Sequence, residues 1–162
     1  MNKVTRHYRE LMPSLTARLK DGERDLERLI ESARQALLRD GELAQSEVEQ
    51  VLQAVRRDLE EFARSYGESR REDEFSDSVF MRVIRESLWQ ELADITDKTQ
   101  LEWREIFKDV THHGVYHSGE VVGLGNLVCE QCHHRMAFYT PEVLPLCPKC
   151  AHDQFHRQPF QP

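Results

Sequence analysis

Cys129-Glu130-Gln131-Cys132, then fourteen residues (133 to 146), then Cys147-Pro148-Lys149-Cys150, is the stretch that decides the architecture of this chain. Two C-x-x-C pairs at this separation form a zinc-ribbon pattern. Each pair sits on a tight turn, so its two sulfurs converge while backbone amides point toward them. Two such turns, brought together by a hairpin, supply a tetrahedron of thiolates. Pro148 favours a turn at the second pair. Leu127-Val128 leads into the first turn, Met136-Ala137-Phe138-Tyr139 leads away, and Gln154-Phe155-His156 follows the second, which makes three short strand candidates. The predicted ligands are therefore Cys129, Cys132, Cys147 and Cys150 around one zinc ion, with iron as the alternative, since the same thiolates accept either metal. Four free thiols or two disulfides are the competing reading, and the spacing argues against both. A site closed by four cysteines has no open position for substrate or water, so its default role is to hold the fold. A segment of this size has little core of its own, and metal binding is expected to supply most of its folding free energy.

Histidines crowd the same region: His112, His113, His117, His133, His134, His152 and His156. His133 or His152 is a conceivable replacement for a cysteine, which four cysteines in register make unnecessary. His112, His113 and His117 are a conceivable second metal set, but no spaced carboxylate completes it, and a polar joint between helix and ribbon is the simpler reading.

Moving toward the N-terminus, composition changes sharply. All four cysteines lie after position 128, four of the seven glycines lie from Gly114 to Gly125, and five of the six prolines lie after position 140. Positions 68 to 113 contain neither Gly nor Pro. These shifts divide the chain into a helical, coiled-coil-like domain over 1–111 and a ribbon domain over 112–162.

Periodicity predicts the helices. Val4, Tyr8, Leu11, Leu15 and Leu19 recur at steps of three or four, and Leu26, Leu29, Ala33 and Leu37 continue the stripe. Pro13 predicts a kink or a local restart, Asp21-Gly22 is a break or a weak point, and Gly41 is a C-terminal stop. Ser46 with Glu49 fits a capping box at the start of the next helix. Its apolar face is Val48, Val51, Leu52, Val55, Leu59, Phe62 and Tyr66. Gly67 to Ser76, crowded with charge, reads as a connecting loop. Phe80, Ile84, Leu88, Leu92, Ile95, Thr99, Trp103, Ile106 and Val110 then predict one helix from Ser78 to Val110, about 50 Å long. Trp89 and Trp103 read as core or coiled-coil seam positions rather than a ligand box. The fold class is thus mainly α: a long antiparallel helical hairpin or small bundle followed by a small β zinc ribbon.

Several residue runs resemble a known family. Asp77-Ser78-Val79-Phe80-Met81-Arg82-Val83-Ile84, Ser87-Leu88-Trp89-Gln90-Glu91-Leu92, the joint His112-His113-Gly114-Val115-Tyr116-His117-Ser118-Gly119-Glu120 and both cysteine pairs resemble the YbeL-like family of bacterial zinc-ribbon-containing proteins. The resemblance covers nearly the whole chain. It implies a cytoplasmic protein with an N-terminal helical region and a C-terminal ribbon, supports the metal site at the four cysteines, and implies no activity. The ribbon alone also resembles the iron-binding ribbon that ends rubrerythrins. Their helices carry Glu-x-x-His pairs for a di-iron centre. Here the single histidine before His112 is His7, and position 4 is Val.

The totals limit the functional classes. The 162 residues are 39% hydrophobic and 31% charged, with formal charge −7. Such a balance suits long exposed helices and lacks the basic surplus of a nucleic-acid binder. The start is polar, without the apolar run of a signal peptide, and no window approaches a membrane span, so the expected compartment is the cytoplasm. Carboxylates fall in mixed-charge runs such as Asp21-Gly22-Glu23-Arg24-Asp25, which suit a solvated face. No phosphate loop or hydrolase elbow is present. The expectation is a non-catalytic protein whose helical domain binds a protein partner or itself, with no small-molecule substrate and no membrane. The alternatives are a nucleic-acid-associated ribbon, in which Tyr116, Phe138, Tyr139 and Phe155 would stack on bases, and a rubredoxin-like iron electron carrier.

Overall fold

The structure is a computed structural model and describes residues 3–72, 84, 87–99, 103 and 115–158. Among the described residues, four helical elements precede a small antiparallel sheet. They are α1 (Lys3–Lys20), α2 (Leu26–Asp40), α3 (Gln45–Glu72) and α4 (Gln90–Thr99).

The predicted stripes are the buried faces. Val4, Tyr8, Leu11, Leu15 and Leu19 of α1 meet Leu26, Leu29, Ala33 and Leu37 of α2 and the whole predicted face of α3 in one core. α1 runs through Pro13 without a restart. The carbonyl that Pro13 leaves unbonded belongs to Arg9, on the exposed side of the helix, where water can meet it. The stripe does break at Gly22, which takes φ 108, and Asp25 caps α2 by accepting from the Arg28 amide at 3.2 Å. Gly41 ends α2 in the left-handed region at φ 75, as expected.

Three expectations are corrected. α3 starts at Gln45, before Ser46; the reciprocal capping contact is made by Glu47, whose carboxylate accepts from the Ala44 amide at 2.9 Å. The stretch 67–72 belongs to α3 rather than to a loop, because its Glu and Arg residues are good helix formers that outweigh one glycine. The single helix from Ser78 to Val110 is interrupted at Ser87. There the Ser87 hydroxyl donates to the Ile84 carbonyl at 2.5 Å and accepts from the Trp89 amide at 3.2 Å, and α4 begins only at Gln90. The rest of that predicted helix, including Phe80, Ile106 and Val110, lies outside the described residues, as does the expected boundary at 111–112. Trp89 and Trp103 are both core residues. Their rings lie 5.9 Å and 5.6 Å from that of Phe62.

The ribbon contains β1 (Val115–His117), β2 (Val121–Val122), β3 (Gly125–Cys129), β4 (Arg135–Phe138), β5 (Glu142–Val143) and β6 (Gln154–Gln158). The three strand candidates are β3, β4 and β6. β1, β2 and β5 are too short for a period to register. One sheet runs in the order β1-β6-β3-β4, and β2 pairs with β5. Its small core holds Tyr116, Val122, Leu127, Cys129, Phe138, Leu144, Cys147 and Phe155. The ribbon packs on the helices: Val121 and Leu124 are part of the helical core rather than the ribbon's own.

Candidate metal centre

β3 delivers Cys129 at its end, and the β3–β4 turn carries Cys132. The loop before β6 carries Cys147 and Cys150. The four sulfurs lie within 4.8 Å of one another, with Cys129 and Cys150 at 3.5 Å and Cys132 and Cys147 also at 3.5 Å. A tetrahedron with metal–sulfur bonds of about 2.3 Å has edges of about 3.8 Å, so the donor set fits a tetrahedral thiolate centre.

The two turns repeat one design. Cys129 donates its amide to the His134 carbonyl at 2.9 Å, and Cys147 donates to that of His152 at 2.9 Å. The His133 amide returns to the Cys129 carbonyl and the Ala151 amide to that of Cys147. This closure places His133 and Ala151 in the left-handed region, each at φ 64. Amides of Gln131 and Cys132 point at the Cys129 sulfur, and that of Lys149 at the Cys147 sulfur. Burial opposes ionisation of Cys147, but the amides of Cys150 and Lys149 outweigh it and bring the thiol down to about 6. Cys129 is lowered by the same balance of burial against the amides of Cys132 and Gln131. At Cys150 the His152 amide favours the thiolate, yet burial and the neighbouring sulfurs prevail and push it up to about 12. The amides thus favour the thiolate at Cys129 and Cys147, and a bound cation would favour it at all four.

His133 and His152 are outside this sulfur cluster; their backbones, not their rings, build the turns. His117 is exposed, with its ring 3.3 Å from Glu120, and His112 and His113 lie outside the described residues. A second group, His7, Asp40 and Glu42, also has donor atoms within 4.8 Å. Arg6 is paired with Glu42 there, and the buried His7 ring stands 3.2 Å from the same carboxylate. With Arg6 already balancing its charge, this group is a clasp between α1 and the end of α2.

Sequence reasoning missed a buried polar seam between α3 and the ribbon. Asp58 of α3 accepts from the Tyr8 hydroxyl at 2.5 Å, the Gly123 amide at 2.7 Å and Arg157 Nη2 at 2.9 Å. Arg157 Nη1 lies 3.5 Å from Glu61, and all three charged side chains are at most 2% exposed. Trp89 donates its indole N–H to the Gly123 carbonyl at 2.9 Å. At the rim, Arg57 lies 3.6 Å over the Tyr116 ring and pairs with Glu120 at 3.0 Å. Burial raises the Asp58 carboxyl against the pull of Arg157, Tyr8 and the Gly123 amide. Burial, and then the Asp58 charge, raise Tyr8 well above the usual phenol value. One signal was available: Asp58 falls at the three-and-four step from Val51 and Val55 to Phe62, inside the apolar stripe.

The fold and the sulfur cluster define a helical protein with a C-terminal ribbon of the four-cysteine kind. The chain belongs to the zinc-ribbon containing domain family, which matches residues 13–159. It is 68% identical over 162 residues, the full length of both chains, to the uncharacterized protein YbeL of Escherichia coli strain K12. The same identity and coverage hold for the YbeL proteins of strain CFT073 and of Escherichia coli O157:H7. The family expected from the sequence is therefore the family found. No solved structure matches the chain. No described helix is long and apolar enough to cross a membrane.

Proposed function

We propose that this is a non-catalytic, cytoplasmic zinc-ribbon protein that acts as a protein-interaction module, with Cys129, Cys132, Cys147 and Cys150 ligating one structural zinc ion. The closed sulfur cluster carries this reading. A tetrahedral ion held by four cysteines has no position left for a reacting water or substrate. Among the described residues, the exposed apolar surface favours contact with a protein through the ribbon. Of the exposed large apolar residues, Val115, Tyr139, Val143 and Leu146 belong to the ribbon and Leu38 alone to the described helices. Nucleic acid has less support. Of the ribbon's cations Arg135, Lys149 and Arg157, the last is buried at the seam. Three of the four aromatic residues expected to stack on bases, Tyr116, Phe138 and Phe155, are buried as well.

The test combines metal analysis and visible spectroscopy of protein purified without added metal with capture from native lysate. The capture compares the wild type with a Tyr139→Ser/Val143→Ser/Leu146→Ser variant. One zinc per chain, no colour, and a protein retained by the wild type but not by the variant are the expected results. One iron per chain with visible absorption would replace zinc by a redox centre. Capture unaffected by the three substitutions, or no reproducible capture, would refute the ribbon as the interaction surface.

A further inference from the structure

The seam and the metal centre share a strand. β6 leaves the second cysteine turn and pairs along β3, so that Phe155 faces Cys129 and Arg157 faces Leu127. Arg157 is thus two residues along the strand from the position opposite a cluster cysteine. Its side chain crosses to α3 and meets Asp58 and Glu61 in a place with almost no water. Ser65 also donates to Glu61, at 3.0 Å, and Tyr8 and Gly123 donate to Asp58, but these are neutral groups. The charge that answers Asp58 comes from β6.

What holds β6 in place is limited. Among the described residues, the ribbon's own buried core is eight, two of them cluster cysteines. Such a core is too small to order the sheet unless the sulfurs are joined through an ion. The helical core is far larger and draws on α1, α2, α3 and α4 together, so it does not share that dependence. The two parts therefore differ in their need for metal, and the contact between them is electrostatically conditional. With Arg157 in place, the buried carboxylates are compensated. With β6 disordered, Asp58 sits uncompensated against Tyr8 and must recover water, which opens the seam at Gly123 and Trp89.

We propose that the helical module reads the metal occupancy of the ribbon: a bound ion keeps β6 ordered and Arg157 locked on Asp58 and Glu61, and its loss releases the ribbon from α3 while the helices stay folded. This rests on the reading of the four cysteines as metal ligands. Release uncovers the face of the helical core now covered by Val121, Gly123 and Leu124, the face that contains Tyr8 and Trp89. Metal loss would thereby be converted into an exposed aromatic surface on an otherwise intact helical protein.

The experiment uses the full chain carrying Trp103→Phe, so that Trp89 is the sole indole. Metal content, helical circular dichroism, Trp89 emission and exchange of its indole N–H are followed as zinc is removed by a chelator and restored. The expected result is retained helicity with red-shifted Trp89 emission and indole exchange faster by about tenfold or more, all reversed by zinc. Zinc-loaded Arg157→Met should bind the same amount of metal yet already show the released Trp89 signal and respond little to chelation. Unchanged Trp89 signals on verified zinc loss would overturn the coupling and leave the metal reading standing. Failure to retain or take up any metal would remove both. Complete loss of helicity on chelation would overturn the proposal, since it would make the two parts one unit.

Discussion

Gly123→Ala tests the seam at its tightest point. A methyl group at this position would stand 2.3 Å from the Tyr8 hydroxyl oxygen, 2.6 Å from Tyr8 Cζ and 3.0 Å from an Asp58 oxygen. Neither neighbour is free to yield. Tyr8 is fully buried, and its hydroxyl is bound to Asp58. The backbone of Gly123 is fixed from both sides by Asp58 and Trp89. Overpacking of a core costs about 1–3 kcal/mol. Displacing Tyr8 adds the loss of a hydrogen bond to a charged group, about 1.5–3 kcal/mol. We expect Gly123→Ala to destabilise the zinc-loaded protein by about 3–5 kcal/mol in urea unfolding followed by circular dichroism at fixed zinc concentration. Tyr8→Phe alone should cost about 2 kcal/mol, since it removes one donor from a buried carboxylate. The double variant has no oxygen at the closest contact, so its loss should fall below the sum of the singles by at least about 1 kcal/mol. Additivity within about 0.5 kcal/mol, or a Gly123→Ala loss below that value, would refute the steric account.

Three further predictions follow from the backbone and the seam. Gly41→Ala meets no neighbouring atom but must adopt φ 75, so thermal unfolding should show a loss of about 1 kcal/mol from left-handed strain alone. Ala151→Gly relieves the same strain at φ 64, and should raise stability by up to about 1 kcal/mol after the added freedom of the unfolded chain is counted, read as tighter zinc retention in a chelator competition. The Tyr8 phenol is raised in the folded state by burial. Its contribution is therefore complete below the unfolded value near 10 and lost as pH rises beyond it, so Tyr8→Phe should lose stability less steeply than the wild type above about pH 10 in urea titrations.

How much of this was legible depends on the distance over which each feature is encoded. The cysteine turns are local and their geometry dictates the spacing, so the sequence alone singles out the four sulfurs that lie within 4.8 Å of one another. The stripes of α1, α2 and α3 are also local, repeated every turn. Gly67 among charges reads as a turn by composition, which carries no trace of the helix that runs into it from Gln45. Ser87 looked like one more helical position because its hydroxyl bonds are invisible in a periodic pattern. The seam was the least legible part. Composition gives Arg157 only as one of the ribbon's few cations, and Tyr116 and Phe155 only as rings that would stack on bases, because their partners lie on α3 and β3, far away in sequence. Asp58 disrupted an apolar stripe, but nothing local names the guanidinium that answers it.

The separation of Asp58 and Arg157, 99 residues, also has a consequence in time. At synthesis rates of about 5–20 residues per second, the helix bearing Asp58 emerges roughly 5–20 s before the strand that neutralises it. During that interval the nascent helices hold a carboxylate on their apolar face with no cation to meet it. Closing so long a loop is among the slow, entropically costly steps of folding. The arrival of β6 closes that gap, and a polypeptide stopped a few residues short of Arg157 would keep its helices with Asp58 and the aromatic face beside it open to water.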